Sequence, residues 1–206
     1  MSRRIFAICM LLLVQGSTVA KANLVSNGDF ADGGTDWSND AQEISYYNDG
    51  TDDICSIGTD HLASIWQNTG ATIQADTAYR LTVEARTGDG HAEGVILTIQ
   101  DVDDSWADIV QDTYTFPAVD EHAKPGEWRT YWVEFDSTDY PGLVGHTLGV
   151  KVALHDTTDW GASGELHLNT VTLPEPGTYI ILGGLALLLT VERILGAALR
   201  PVAAKT

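Results

Sequence analysis

In Tyr79-Arg80-Leu81-Thr82-Val83-Glu84-Ala85-Arg86, apolar and polar side chains alternate strictly. Successive side chains of a β-strand point to opposite faces, so one face of this stretch is apolar and the other is polar. The same alternation recurs over residues 94–101, 129–135 and 149–155, and residues 166–173 are predicted as a final strand. Turn-forming sequences such as Thr87-Gly88-Asp89-Gly90 and Pro141-Gly142 separate the alternating stretches. The pattern predicts an all-β fold, an antiparallel β-sandwich over residues 23–173 without a substantial helix.

The first 22 residues have the pattern of a signal peptide. Arg3 and Arg4 precede an apolar run over residues 5–14, and small and polar residues follow up to Ala20-Lys21-Ala22. The apolar run is too short to span a bilayer comfortably. We therefore predict an N-terminal signal helix over residues 1–22 that is removed on export, with an uncleaved membrane anchor as the alternative.

The rest of the chain is strongly acidic. Without Arg3, Arg4 and Lys21 it holds 8 basic and 29 acidic residues, a net charge of −21. Such a surface repels nucleic acid and anionic lipid headgroups, so we expect no nucleic acid among the partners. Once Cys9 leaves with the signal peptide, Cys55 is the only cysteine. An internal disulfide and a multi-cysteine zinc site are therefore excluded.

The character of the chain changes at Pro174. The sequence Pro174-Glu175-Pro176 is followed by an apolar run over residues 179–191. A helix of 13 residues is about 20 Å long, which is short of the ~30 Å hydrocarbon core of a bilayer. A longer span would have to include Glu192 and Arg193. We predict a short C-terminal hydrophobic helix that anchors only marginally in a membrane.

Residues 174–206 resemble the PEP-CTERM sorting signal of Gram-negative, biofilm-forming bacteria, in which Pro174, Glu175 and Pro176 would be the sorting motif. The resemblance implies processing by a membrane-embedded exosortase and delivery to the cell envelope, outer surface or extracellular matrix. The family usually ends in adjacent arginines, whereas this chain has Arg193, Arg200 and Lys205 spread apart. An ordinary tail anchor is the alternative.

The opening sequence Asn23-Leu24-Val25-Ser26-Asn27-Gly28-Asp29-Phe30 resembles that of galactose-binding-like jelly rolls, which include several families of carbohydrate-binding modules. Asp36-Trp37, Gly126-Glu127-Trp128 and the closing Leu168-Asn169-Thr170-Val171-Thr172-Leu173 extend the resemblance across the domain. It implies a jelly-roll sandwich over residues 23–173 and a glycan or exopolysaccharide as a partner.

The same resemblance implies a structural calcium. Relatives usually have an aspartate where this chain has Asn169, and in many of them that acid holds calcium together with oxygens from the opening region. Asn27, Asp29, Asp32 and Asn169 are therefore the predicted calcium ligands, because calcium takes carboxylate and carbonyl oxygens. A hydrogen-bonded strand junction without metal is the alternative.

Six tryptophans are a surplus for a domain of this size, and aromatic faces are suited to stacking on sugar rings. Trp37, Trp66 and Trp128 are predicted to pack in the core. Trp132 and Glu134 alternate out of phase with the apolar residues of their strand and are predicted on its outer face. The same phase in other strands holds Arg80, Glu84, Arg86, Thr98, Gln100, Lys151 and His155.

If those strands are neighbours, Trp132, Glu134, Arg86 and Gln100 belong to one sugar-binding face. Trp106 and Trp160, both in polar loops, are the other candidates. For each of these tryptophans the alternative is a ring half covered by a loop. The experiment that separates these predictions is substitution of each tryptophan.

The sequence shows no catalytic motif. Its six histidines are scattered without a HExxH pattern, and it lacks a Gly-x-Ser-x-Gly elbow and a phosphate loop. We therefore predict an exported, surface-sorted, non-catalytic protein that binds carbohydrate. The alternatives are a structural or adhesive surface protein without sugar binding and a diverged glycan-active enzyme.

Overall fold

A computed structural model describes residues 23–40, 44–58, 63–88, 92–117, 126–155 and 164–175. Residues Asn23–Pro174 form one compact unit. The predicted signal helix, the C-terminal hydrophobic helix, Trp160 and Pro176 lie outside the described residues. Within the described ranges, no helix is both long enough and apolar enough to cross a membrane.

The described residues form ten strands and one turn of 3-10 helix at Pro141–Leu143. The strands are β1 (Ser38–Asn39), β2 (Ile44–Asn48), β3 (Asp53–Ile57), β4 (Ser64–Thr72), β5 (Ala78–Thr87), β6 (Gly94–Asp101), β7 (Ala107–Thr115), β8 (Arg129–Asp136), β9 (Thr147–His155) and β10 (Leu166–Thr172). They make a first sheet in the order β1-β4-β9-β6-β7 and a second sheet in the order β2-β3-β10-β5-β8. Every named pair of strands is antiparallel. The prediction of an all-β antiparallel sandwich is confirmed.

The alternating stretches supply the core between the two sheets. Tyr79, Leu81, Val83 and Ala85 of β5 are buried, as are the apolar residues of β6, β8 and β9 in the predicted phase. Each fully buried aliphatic side chain contributes on the order of 1.5–3 kcal/mol of transfer free energy. Burial also raises the pKa of the Cys55 thiol to about 12, so this cysteine stays protonated and unreactive at neutral pH.

The opening segment lies beside the last strand, as the resemblance implied. The Leu24 N–H donates to the Leu173 carbonyl at 2.8 Å, and the Val171 N–H donates to the Gly28 carbonyl at 2.7 Å. These bonds satisfy backbone groups at the two ends of the described unit, which buried backbone requires. Asn23 adds a side-chain contact, because its Oδ1 accepts from the Leu173 N–H at 2.8 Å.

Candidate functional site

The residues predicted for one sugar-binding face lie on two different sheets. Trp132 and Glu134 are on β8 and Arg86 is on β5, all on the outer face of the second sheet. Gln100 is the penultimate residue of β6 in the first sheet, and Trp106 lies in the turn that follows this strand. The prediction required these strands to be neighbours in one sheet. β5 and β8 are neighbours, but β6 belongs to the other sheet. Lys151 and Thr98 lie on the same sheet as Gln100, whereas Arg80 and Glu84 lie on the same sheet as Trp132.

Three strands of the first sheet align their outward side chains in rows. Trp66 of β4 pairs in register with Lys151 of β9, and Lys151 pairs with Thr98 of β6. Two residues along, Gly149 of β9 pairs with Gln100 of β6. The residues between them in sequence, such as Val150 and Val152, are fully buried. Because strand faces alternate, these rows lie on the outer face of the sheet.

The sequence prediction placed the Trp66 ring in the core, and this prediction is wrong. The ring is half-buried and lines a groove on the outer face. The neighbouring Gln67 takes the inward position instead, where its Oε1 accepts from the Ser26 N–H at 2.8 Å. Its Nε2 donates to the carbonyls of Ser26 at 2.9 Å and Asp36 at 3.1 Å. Trp37 is in the core as predicted. The same prediction is wrong for Trp128, which is half-buried with the Arg86 guanidinium 4.1 Å from its ring centre.

The turn between β6 and β7 lays Trp106 over β9. Ser105 and Trp106 have φ angles of 55° and 66°, in the left-handed region that residues other than glycine rarely adopt. The indole lies directly against Gly149, where an added Cβ would come within 2.7 Å of Trp106 Cζ3. Glycine at position 149 is therefore what allows this ring to approach the sheet.

A network of hydrogen bonds holds this turn in place. The Gln100 Nε2 donates to the Trp106 carbonyl at 3.2 Å and to Asp108 Oδ1 at 2.8 Å. Asp101, whose side chain is 3% exposed, accepts from the Asp103 N–H at 3.0 Å. Asp103 Oδ2 in turn accepts from the Thr147 N–H at 2.7 Å. Gln100 thus acts on the site partly by fixing Trp106.

The second carboxylate oxygen of Asp101 accepts from His146 Nδ1 at 2.7 Å. This hydrogen bond raises the pKa of His146 above its ordinary value of 6.5, and the negative charges of Asp101, Asp103 and Asp104 add to the effect. Ligand atoms of Asp101, Asp103 and His146 lie within 4.8 Å of one another, the arrangement of a candidate cation site. Their hydrogen bonds to one another and to the turn account for this grouping, so we assign them a positioning role.

These elements together form a groove of about 310 Å³ on the outer face of the first sheet. Its lining residues are Asp40, Trp66, Gln100, Trp106 and Lys151. The two indoles come from opposite sides of β9, one from β4 and one from the turn after β6. Asp40 is held at the rim, because its carboxylate accepts from the Ser64 N–H and from Ser64 Oγ, both at 2.8 Å.

The outer face of the second sheet has a different character. Trp132 is 47% exposed, with the Arg80 guanidinium 5.9 Å from its ring centre. Arg80 also forms an ion pair with Glu134, and Arg86 lies 3.5 Å from Asp49. The charged groups predicted to bind sugar here are therefore engaged with one another, while the Trp132 ring is open to solvent.

The predicted calcium ligands make hydrogen bonds in two separate places. Asn27 Nδ2 donates to the carbonyls of Gly33 at 2.8 Å and Thr35 at 3.0 Å, and Asn27 Oδ1 accepts from the Asp32 N–H at 3.1 Å. Asn169 Nδ2 donates to Glu84 Oε2 at 2.9 Å. These contacts do not bring Asn169 together with the side chains of the opening segment. These hydrogen bonds correspond to the alternative of a strand junction held without metal, and the calcium site stays a prediction.

Comparison with known proteins identifies the fold. No family model matches the sequence, and no curated protein matches it. Among solved structures the chain is similar to a family 16 carbohydrate-binding module, with a TM-score of 0.52 and 17% identity over 74% of this chain and 100% of the module. The fold is a jelly-roll β-sandwich. Identity this low establishes the fold alone.

Two further similar structures are enzymes. An arabinose-bound α-L-arabinofuranosidase matches with a TM-score of 0.56 and 11% identity over 81% of this chain, which spans 28% of that enzyme. A cyclase from Fischerella sp. TAU, solved with 4-(1H-indol-3-yl)butan-2-one, matches with a TM-score of 0.51 and 16% identity over 74% of this chain and 96% of that one. The same sandwich thus occurs in proteins of different activity.

Proposed function

We propose that this domain binds carbohydrate, without catalysing a reaction, in the groove between Trp66 and Trp106. The observation that carries the proposal is the pairing of two indoles across β9 above a polar floor that contains Gln100 and Lys151. A pyranose ring presents flat C–H faces and an equatorial belt of hydroxyls. The indoles can stack on the C–H faces of the sugar ring, and the polar side chains can form hydrogen bonds with its hydroxyls.

The dimensions and chemistry of the groove support this proposal. Its volume of about 310 Å³ lies at the lower end of the range typical of small-ligand sites, roughly 300–1,000 Å³. The carboxylate nearest to it, Asp40, has both oxygens engaged by Ser64. Glycoside hydrolysis usually takes two carboxyl groups, and among the described residues that line the groove Asp40 is the only carboxylate, so the groove is better suited to binding than to catalysis.

Similarity of fold to the family 16 carbohydrate-binding module is consistent with the same proposal. The similar arabinofuranosidase and cyclase show that the sandwich also occurs in enzymes. Since fold does not determine function, the groove and its tryptophans carry the proposal.

A glycan array probed with the full chain in mild detergent tests the proposal. We expect binding to at least one glycan, with a loss of about 30-fold or more on Trp66→Ala or Trp106→Ala, since truncating a buried aromatic contact typically costs at least about 2 kcal/mol. Trp132→Ala is the matched control, an exposed tryptophan on the opposite sheet.

The outcomes separate the candidate sites. Loss of binding in Trp132→Ala alone would transfer the site to the second sheet, as the sequence prediction had it. Absence of binding to any glycan would favour the structural or adhesive alternative.

We further propose that the protein is exported and sorted to the cell envelope, outer surface or extracellular matrix. The support is the signal-peptide pattern of residues 1–22 and the resemblance of residues 174–206 to a PEP-CTERM segment. In this proposal an exosortase-type enzyme recognises Pro174, Glu175 and Pro176, and the C-terminal apolar segment contacts the membrane during processing.

A further inference from the structure

The groove contains a cation without a carboxylate partner. Lys151 lies in its floor, half-buried, between Trp66 on β4 and Thr98 on β6. Among the described residues it forms no ion pair, whereas Arg80 and Arg86 each do. Arg129 on β8 likewise has no ion pair among the described residues, so Lys151 is distinguished by its place in a groove beside Trp66.

The carboxylate that lines the groove together with Lys151 is Asp40, and both of its oxygens accept hydrogen bonds from Ser64. Among the described residues, Lys151 has no ion pair with it. The ammonium therefore keeps its three donors for water or for a ligand. A partly buried ammonium loses hydration when a ligand covers it. A carboxylate of the ligand compensates for this loss better than a neutral hydroxyl does, because hydrogen bonds between charged groups are stronger.

We infer that the groove binds an acidic glycan, one in which a uronic acid residue places its carboxylate on Lys151. This inference rests on the proposed carbohydrate site and names its ligand class. The carboxylate of a hexuronate is attached directly to the sugar ring. A ring stacked on Trp66 therefore holds that group close to Lys151, the neighbour of Trp66 across the β4–β9 pair.

The charge of the whole chain limits how acidic the ligand is. At a net charge of −18, the protein repels a polyanion over long range, and this repulsion grows with the number of ligand charges. The contact with Lys151 involves one ligand charge only. The preferred ligand is therefore a largely neutral glycan with sparse uronic acid residues, rather than a polyuronate.

Matched trisaccharides test the inference. The probes are β-1,4-linked cellotriose, mannotriose and galactotriose, each compared with its counterpart oxidised at one C6 to a carboxylate. Titration calorimetry with the full chain in mild detergent should show at least one mono-uronate trisaccharide binding about two- to fivefold more tightly than its neutral parent. That is the range for one partly exposed charge pair.

Two variants assign the preference to its source. Lys151→Gln should reduce the ratio of the two affinities to about one, and Lys151→Arg should retain a preference. Arg129→Gln is the control, because it removes one positive charge from an exposed position on β8 of the second sheet and should leave the ratio unchanged. Thermal melting checks that each variant is folded.

The outcomes distinguish this inference from the proposed function. Equal or weaker binding of every uronate, or a preference that survives Lys151→Gln, overturns the inference and leaves carbohydrate binding intact. Tighter binding of the corresponding 6-sulfated trisaccharide would overturn the assignment to uronic acid. Absence of binding to every trisaccharide overturns the inference, and absence of binding to every glycan on the array overturns the proposed function as well.

Discussion

At position 149, the absence of a side chain determines where Trp106 lies. The nearest atoms to an added Cβ would be Trp106 Cζ3 at 2.7 Å and Val102 Cγ2 at 3.0 Å, both closer than normal contact. The residue that shapes the groove is thus one that contributes no atom to its lining. This is a close-approach glycine, and its backbone is not in the left-handed region.

We predict that Gly149→Ala displaces Trp106 and weakens glycan binding about tenfold or more. Overpacking at such a site typically also costs about 1–3 kcal/mol of unfolding free energy. Affinity by calorimetry and stability by urea denaturation measure the two effects. Gly142→Ala is the matched control, because nothing lies within 4 Å of its added Cβ. Unchanged affinity in Gly149→Ala would show that the ring position is unimportant for binding.

At the scale of elements, the turn between β6 and β7 is held by charge as well as by backbone. Asp101 accepts from His146 and from the turn, and Val102 donates to the Thr147 carbonyl at 3.0 Å. Left-handed φ angles at Ser105 and Trp106 cost on the order of 1–3 kcal/mol each, so the turn depends on these anchors. The position of Trp106 therefore depends on the hydrogen bond between Asp101 and His146.

This contact predicts a pH dependence of binding. Because the pKa of His146 is raised in the folded protein, its stabilising effect is complete below the ordinary value of 6.5 and disappears as the pH rises through the raised pKa. We expect glycan affinity to fall as the pH rises from about 6.5 through the raised pKa of His146, where this side chain loses its proton. The measurement is a calorimetric titration at several pH values.

His146→Gln should flatten this pH profile, whereas His155→Gln, at the far end of β9, should keep its slope. A wild-type affinity that does not vary over this range would show that the turn is held without the charge on His146. A slope that persists in His146→Gln would assign the titration to another group.

At the scale of the molecule, the sandwich separates two outer surfaces with different properties. The first sheet presents a groove with an unpaired lysine and two indoles, and the second presents Trp132 among paired charges. The two sheets meet where the Tyr114 hydroxyl of β7 donates to the Trp132 carbonyl of β8. A ligand in the groove therefore leaves the other face free for solvent or for a further partner.

Processing of the chain ends is a prediction at this same scale. If residues 174–206 are a sorting segment, mass spectrometry of the protein recovered from its native host should find a C-terminus within residues 174–178. A peptide that retains Thr206 would contradict processing and indicate an ordinary tail anchor. An N-terminus near Asn23 in the same experiment would confirm removal of the signal peptide.

The sequence by itself was sufficient for the strands with one polar face, because alternation with a period of two is a local property. Four stretches, in β5, β6, β8 and β9, have the predicted buried faces. The fifth was predicted only as a strand, and in β10 a register shift between Leu168 and Thr170 interrupts the alternation. The strands that were missed, β1 to β4 and β7, lack that alternation. In β7 most residues are exposed or half-buried, and in β4 a polar residue points inward.

The composition of the candidate site depended on the tertiary structure. Trp66 faces outward because Gln67 takes the inward position, satisfied by backbone groups of Ser26 and Asp36 that are distant in sequence. Trp66, Gln100 and Lys151 share a groove because β9 inserts between β4 and β6, whereas Trp132 lies on the other sheet. Local patterns determine which face of a strand is polar. Only long-range pairing, set by packing of the whole core, determines which polar faces become neighbours.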